Sequence, residues 1–443
     1  MQNAALGVVP KAFGAAVGDT IVAPPADADA IPELVADLPA PLVNGTALQA
    51  HLVHDGRGLD DLLRFNDRAR TSAEDDAAFC YDTSIALYLR FRARQAAAMQ
   101  REALAVCQLF RVASGFGQQT GRALRLLAVM APGDFMVNTP LDFITQHLNV
   151  RLDLMFVVPG QPLPAVIADH DAVFFAVGEA DPAMWRRLEA LYHSWPRPRL
   201  NRPGRIAQLS RDAVARGLAD VPRICSPPVM RLTRAQALRH AAGAPGILDA
   251  GAPMIIRPLE SHAGRDLARI DHPGDLARYL DGVGGDAFFV TRFVDYSGAD
   301  GMFRKYRIAF IDGAPFLCHM AVSPHWMVHY LNAGMNEHAS RRAEEAQAMA
   351  SFDAGFALRH QVAFAALNDW MDLDYFQIDC AETEDGRLLV FEVDVAAIVH
   401  LMEAPELFAY KAPTMRRMFA AFDAMLRRRA AARPMRLVHG HAQ

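Results

Sequence analysis

The alternation of apolar and polar positions is sharpest between Asp374 and His400, DYFQIDCAETEDGRLLVFEVDVAAIVH. Period-2 patterning on both sides of a turn signal predicts two β-strands joined as a hairpin. Asp385-Gly386 predicts a two-residue type I′ turn, which needs positive φ at both central positions. With the turn centred there, Glu384 pairs with Arg387, Asp379 lies opposite Glu392, and Gln377 lies opposite Asp394. These last four share one face, while Phe376, Ile378, Cys380, Phe391, Val393 and Val395 share the other.

The rest of the chain divides by period. From Thr46 to Val112 apolar residues recur at i, i+3, i+4 and i+7, predicting helices over LDDLLRFNDRARTS and from DTSIALYL to CQLFRV. Asp82, Thr83 and Ser84 are the N-cap candidates of the second helix, and Ser114-Gly115 is its stop. At Leu124 short apolar runs (LRLLAVMA, LDLMFVV, AVFFAVG) begin to alternate with helical stretches, which predicts a parallel sheet with crossovers. Ligands of such sheets sit at the carboxyl ends of the strands, here the loops Ala131–Pro140 and after Val158. Beyond Pro227-Pro228 the pattern becomes α+β. One strand delivers Arg257 to a small-residue loop, Ser261-His262-Ala263-Gly264. RKYRIAFI and APFLCHMAV form a second hairpin at Asp312-Gly313, with Lys305 and Arg307 on one face. SPHWMVHYLNAG predicts an amphipathic helix with Trp326 and Tyr330 inward, a substrate contact by His325–Tyr330 being the alternative. A long helical region, ASRRAEE to LNDWM, precedes the acidic hairpin. APTMRRMFAAFDAMLRRR follows as a C-terminal helix with a solvated basic end.

Composition narrows the function classes. The chain has 443 residues, half of them apolar, and a net charge of −5, so it lacks the basic footprint of a nucleic-acid binder. No apolar run approaches the ~20 residues of a membrane span. The N-terminus has no signal-peptide pattern, and five scattered cysteines without a CxxC pair fit reduced thiols, so a cytoplasmic location is expected. Lysine occurs only at 11, 305 and 411, so phosphate contacts fall to arginine, a planar fork rather than a point charge.

The candidate chemistry sits on the hairpin. Asp379, Glu392 and Asp394 on one face repel one another unless a cation joins them. Hard oxygen ligands at this spacing suit Mg²⁺ held with substrate phosphates, the alternative being a solvated strand face. The Ser261–Gly264 loop can close over phosphates with backbone N–H groups or simply turn the chain. Lys305 and Arg307 offer a phosphate clamp or an ordinary charged edge.

Residues 124 to about 425 resemble the ATP-grasp superfamily. The resemblance rests on Asp379, Glu392 thirteen residues later and Asp394 two further on, where the family usually has Asn. It implies an α/β and α+β fold in which a Rossmann-like domain precedes two lobes that grip ATP. The domains would be an extended arm (1–45), a helical domain or oligomer interface (46–118), the Rossmann-like domain (119–205), a first lobe (206–292), a second lobe with the metal site (293–430) and a basic tail (431–443). Mg²⁺ would sit on Asp379, Glu392 and Asp394. Arg211 and Arg257 fall where the family has phosphate-binding lysines, and Ser261, His262, Ala263 and Gly264 where it has a phosphate-covering loop. Thr291, Arg292, Phe293 and Val294 match the segment that reads adenine, and Arg307, with Lys305 beside it, the arginine that stabilises the transferred phosphate. The Arg-for-Lys changes, Asp394 and the absence of Pro-Gly in AAIVH mark a divergent branch, similar to domains associated with tetratricopeptide repeats. The implied activity is ATP- and Mg²⁺-dependent joining of a carboxylate, as its acyl phosphate, to an amine, on amino-acid or peptide substrates. A small-molecule kinase and a non-catalytic nucleotide-binding scaffold are the alternatives.

Overall fold

Why these residues form these elements is clearest at the caps and turns. The structure, a computed structural model, describes residues 30–56, 58–113, 121–134, 136–242, 253–259, 261 and 264–432. The helix expected to start near Asp82 starts instead at Ala73. Ser72 and Asp75 form a reciprocal capping box there, satisfying two orphan N–H groups. Asp82 is buried inside that helix, where its carboxylate accepts from Asn44 and Gln49. The helical run also breaks earlier than expected: Ala73–Leu89 ends at a reversal with Phe91 at φ 59, and Ala93–Val106 follows. CQLFRV is largely strand, Leu109–Val112, and the expected stop at Ser114-Gly115 lies outside the described residues.

That strand joins the first sheet, six-stranded and mostly parallel, in the order Leu42–Val43, Leu109–Val112, Val150–Phe156, Leu124–Met130, Ala172–Phe175, Arg199–Leu200. Residues 46–118 are therefore no separate domain. The helices between the first two strands cover one face of the sheet, with Tyr81, Ile85 and Leu104 packed on Phe110, Leu126, Leu154 and Phe156. Helix Pro182–Ser194 covers the other face through Leu188 and Leu191. Residues 33–35 and 42–43 of the expected extended arm are likewise strands; residues 1–29 lie outside the described set.

Two further sheets follow. The first lobe is antiparallel and four-stranded: Val229–Thr233, Ala287–Arg292, Met254–Pro258, Ala268–Ile270. Its core draws on residues 232–290. The stretch expected to open this lobe belongs elsewhere. Ile206, Val214 and Leu218 pack on the second lobe, and Ile224–Cys225 is that lobe's edge strand. The second lobe runs Ala314–Ser323, Phe303–Ile311, Tyr375–Glu382, Leu388–Asp394, Ile224–Cys225. Helix Lys411–Ala431 wedges between this sheet and the first through Met415, Met418, Phe419 and Phe422. Its basic end is not merely solvated, since Arg428 and Arg429 pair with Asp312 and Asp374. Asn201 joins the sheets more tightly: its amide makes both backbone hydrogen bonds of Tyr375, at 2.7 and 2.8 Å.

The succession of a mostly parallel sheet and two α+β lobes is the one the ATP-grasp resemblance implies. One helix is missing from it. SPHWMVHYLNAG is irregular apart from a single 3₁₀ turn at Tyr330–Asn332. Tyr296 donates its hydroxyl to the Trp326 backbone carbonyl, the Trp326 ring meets Phe293 edge-on, and Tyr330 donates to Glu345, so these contacts hold the segment in place of a helical stripe.

Candidate active site

The two Asp-Gly hairpins behave differently. At Asp312-Gly313 both residues have positive φ (50 and 81°) and Ile311 pairs with Ala314, a type I′ turn. At Asp385-Gly386 only Gly386 does (φ 75°), and its N–H donates to the Thr383 carbonyl. The loop is three residues long, a type I turn closed by a left-handed glycine. Thr383 and Arg387 hold the Asp385 carboxylate and fix that form. The longer loop shifts the register by one, so Cys380 faces Val390. A bulge at Phe391 shifts it back, so Asp379 does face Glu392 and Gln377 does face Asp394. Phe391 is the residue that changes sides. It packs on Tyr296 at 5.0 Å, away from the Ile378–Val393 core expected for it.

The basic strand lies directly beside the acidic one. Arg307 pairs in register with Asp379 and grips both its carboxylate oxygens, Nε–Oδ1 2.8 Å and Nη2–Oδ2 3.0 Å. Lys305 Nζ adds a third contact at 2.8 Å. Buried between two cations, Asp379 is held well below the usual carboxylate range: burial opposes ionisation, but the Arg307 and Lys305 charges and hydrogen bonds outweigh it. Arg211, first residue of helix Arg211–Leu218, reaches Glu392 Oε1 at 2.5 Å and the Phe391 carbonyl at 3.3 Å.

Asp379, Glu392 and Asp394, expected as one metal trio, are therefore not gathered as one in this structure. Among the described residues no group of three His, Cys, Asp or Glu side chains is arranged to hold a metal. The reason is physical: both oxygens of Asp379 are committed to Arg307 and Lys305. Glu392 and Asp394 are a different case. Burial, then the Glu392 charge, pushes the Asp394 carboxyl up to about 6, against the Ala396 N–H at 2.7 Å and the Arg307 charge, which favour its ionised form. Two carboxylates under mutual strain, one partly open, fit a hard cation that is completed by phosphate oxygens.

The other predicted residues fall around this pair. Arg257 is buried, within electrostatic reach of Arg211 and Glu392, and burial with the neighbouring Arg211 charge pushes it down to about 10. Its guanidinium turns inward onto the Ser261 hydroxyl (3.1 Å) and carbonyl, so Ser261 anchors the loop. Gly264 has φ 72°, with Met327 of the second lobe packed against it; His262 and Ala263 lie outside the described residues. Thr291 and Arg292 end a first-lobe strand, Phe293 is buried with its N–H committed to Pro253, and Val294 packs on the second lobe. This segment is the joint between the lobes.

Sequence reasoning missed three contributors. Glu179, in the loop after Ala172–Phe175, acts electrostatically on both Asp394 and Arg257. Gly178 beside it lies so close to Ala396 that an added Cβ would stand 3.1 Å from that side chain. The signal was there: this loop is the carboxyl end of a parallel strand. His319 faces Arg307 only because a bulge displaces Cys318, which no periodicity announces. His400 follows the acidic strand as Arg307 Nη1 holds the Ile398 carbonyl at 3.3 Å.

No family model matches the chain and no curated protein matches it. Among solved structures it is similar to the D-alanine–D-alanine ligase of Bacillus anthracis complexed with ATP, at 13% identity and TM-score 0.39 over 69% of this chain and 98% of that one. It is similar to a RimK domain protein ATP-grasp from Sphaerobacter thermophilus, at 16% and 0.37 over 67% and 98%. D-alanyl-alanine synthetase A of Vibrio cholerae gives 11% and 0.44 over 70% and 99%. With every TM-score short of one half, these likenesses leave the function to be read from the chain's own site.

Proposed function

We propose that the chain is an ATP-dependent carboxylate–amine ligase that works through an acyl phosphate and releases ADP. The observation that carries this reading is the closeness of an acid pair, Glu392 and a strained Asp394, to a cation pair, Lys305 and Arg307, that shares the single charge of Asp379. The first suits Mg²⁺ and the second an incoming phosphoryl group. Bound there, Mg²⁺ would supply charge neutralisation between nucleotide phosphates.

The chain's own residues do the rest. Arg307, fixed in a fork by Asp379 and held again at the Ile398 carbonyl, brings its charge to the site without needing to reorganise, which is how charge developing on a transferred group is best stabilised. Arg211 sits at a helix N-terminus, where anions are favoured, and would hold phosphate there, while Glu392 and Asp394 would hold the metal. A carboxylate oxygen attacks the terminal phosphorus of ATP and ADP leaves with the bond electrons. The neutral amine then attacks the acyl carbon, phosphate leaves with the bond electrons, and the nitrogen gives up one proton to form the amide. No covalent enzyme intermediate is called for.

The substrates are a carboxylate and an amine of amino-acid or peptide type, the nucleotide is ATP, and the free cysteines among the described residues suit a reducing cytoplasm. The test is Mg²⁺-dependent ATP binding followed by ADP release from pooled amino acids and peptides, with Glu392→Gln as control. ADP release that needs Mg²⁺ and is lost in the variant is expected. A phosphorylated hydroxyl compound as product would move the assignment to a kinase; equal activity in Glu392→Gln would remove Glu392 from the site.

A further inference from the structure

A second polar cluster lies beyond Arg307. Lys411 is fully buried between Glu345 and Glu403, with Nζ on Glu403 Oε1 and 3.5 Å from Glu345 Oε1. Glu345, also fully buried, is saturated: it accepts from the Met320 N–H at 2.9 Å, the Tyr330 hydroxyl at 3.0 Å and the Tyr410 hydroxyl at 2.6 Å. One lysine thus serves two carboxylates. The deficit lands on one atom, since Glu403 Oε2 is buried with no hydrogen-bond partner. Its neighbour His400 Nδ1, 3.6 Å away, cannot supply the proton, because it already accepts the Met402 N–H at 3.2 Å. A buried carboxylate oxygen left unpaired is costly, and the cost is relieved by a cation that arrives with N–H donors.

The cluster is joined to the catalytic strands. His319, opposite Arg307, lies tilted (42°) against the Tyr330 ring at 4.6 Å, and that ring carries Lys411 Nζ at 4.2 Å. On the other side Arg307 holds the Ile398 carbonyl, two residues before His400. His400 is the part of this cluster nearest solvent, with about a third of its side chain open (31%). One excess positive charge at Lys305–Arg307–Asp379 therefore adjoins one excess negative charge at Glu345–Lys411–Glu403. Burial keeps His400 below its ordinary range, so it does not fill the deficit at neutral pH.

We propose that Glu403, reached past His400, is the seat of the ammonium group of the second substrate, a primary amine docked beside the acyl phosphate that Arg307 and Lys305 hold. The role as acceptor seat rests on the ligase reading; the site itself rests on the Glu345–Lys411–Glu403 geometry. A primary ammonium matches it because it brings three donors, one for Oε2 and others for the side toward His400.

The test is binding of methylammonium, the simplest primary ammonium, to the full chain without nucleotide. It is followed by NMR titration at constant ionic strength, with tetramethylammonium as the donor-free control. Wild type should bind methylammonium saturably and tetramethylammonium not at all. Glu403→Gln should weaken methylammonium about 10- to 100-fold, the worth of a charge-assisted hydrogen bond. His400→Lys, which supplies an internal ammonium beside Glu403 and leaves Glu345, Lys411 and Glu403 themselves in place, should abolish binding; it decides the matter if Glu403→Gln does not fold. Absence of binding to wild type, or undiminished binding to His400→Lys, overturns the proposal. Failure of the ligase reading appears separately, as methylammonium binding that persists with no ADP release.

Discussion

Replacing Asp394 by Asn should stabilise the metal-free protein, an unusual result for an active-site substitution. The Asp394 carboxyl stands near 6 in the folded chain against an ordinary 3.8, raised first by burial and then by Glu392. An acid whose folded value is raised binds its proton more tightly when folded, so stability is lost as pH climbs from the ordinary value through the raised one. About two units correspond to roughly 3 kcal/mol, and because part of Asp394 reaches solvent the working figure is ~1–3 kcal/mol. Asparagine keeps the shape, can still accept the Ala396 N–H, and carries no charge to desolvate. Melting in EDTA between pH 4 and 8 measures this. Asp394→Asn and wild type should melt alike near pH 4, diverge between pH 4 and 6, and differ by several degrees from pH 6 upward, with the variant higher. Adding Mg²⁺ at pH 8 should close most of the gap by stabilising wild type. A variant no more stable than wild type at pH 8 in EDTA would refute the strained acid pair.

Other perturbations test other joints of the site. Asp379→Asn should cost ~3–5 kcal/mol by urea unfolding, because Lys305 and Arg307 are left without their shared carboxylate in a largely buried setting. Arg307→Lys keeps the charge but loses the fork, and kcat for ADP release should fall about 10²–10³-fold, with a lower melting temperature because the buried Asp379 carboxylate loses its bidentate partner. Asn201→Ala leaves both backbone groups of Tyr375 unpaired at the junction of two sheets; a loss of ~2–4 kcal/mol is expected in the same urea assay.

How much was legible follows from where each contact originates. Period-2 alternation placed Asp379, Glu392 and Asp394 on one face, and the count from Asp385-Gly386 gave the right pairings through two offsets that cancel, a longer loop and the bulge at Phe391. Lys305 and Arg307 shared a face for the same reason. That their strand lies against the acidic one, so that Arg307 neutralises Asp379, is a tertiary fact with no local signal. The helix start at Ser72 was readable, since Asp75 three residues on completes a capping box, but Asp82 looked equally good because its long-range partners Asn44 and Gln49 were invisible. The Ile224–Cys225 edge strand and the Glu345–Lys411–Glu403 cluster join residues far apart in sequence, and only the folded chain brings them together.

Carboxylate activation is tested most directly by incubating the protein with Mg²⁺-ATP, pooled amino acids and peptides, and hydroxylamine, which intercepts acyl phosphates as hydroxamates. ADP and a hydroxamate in equal amounts, both lost in Arg307→Lys, are the expected result. ADP formed with no hydroxamate at any hydroxylamine concentration would contradict an acyl phosphate and with it the ligase assignment.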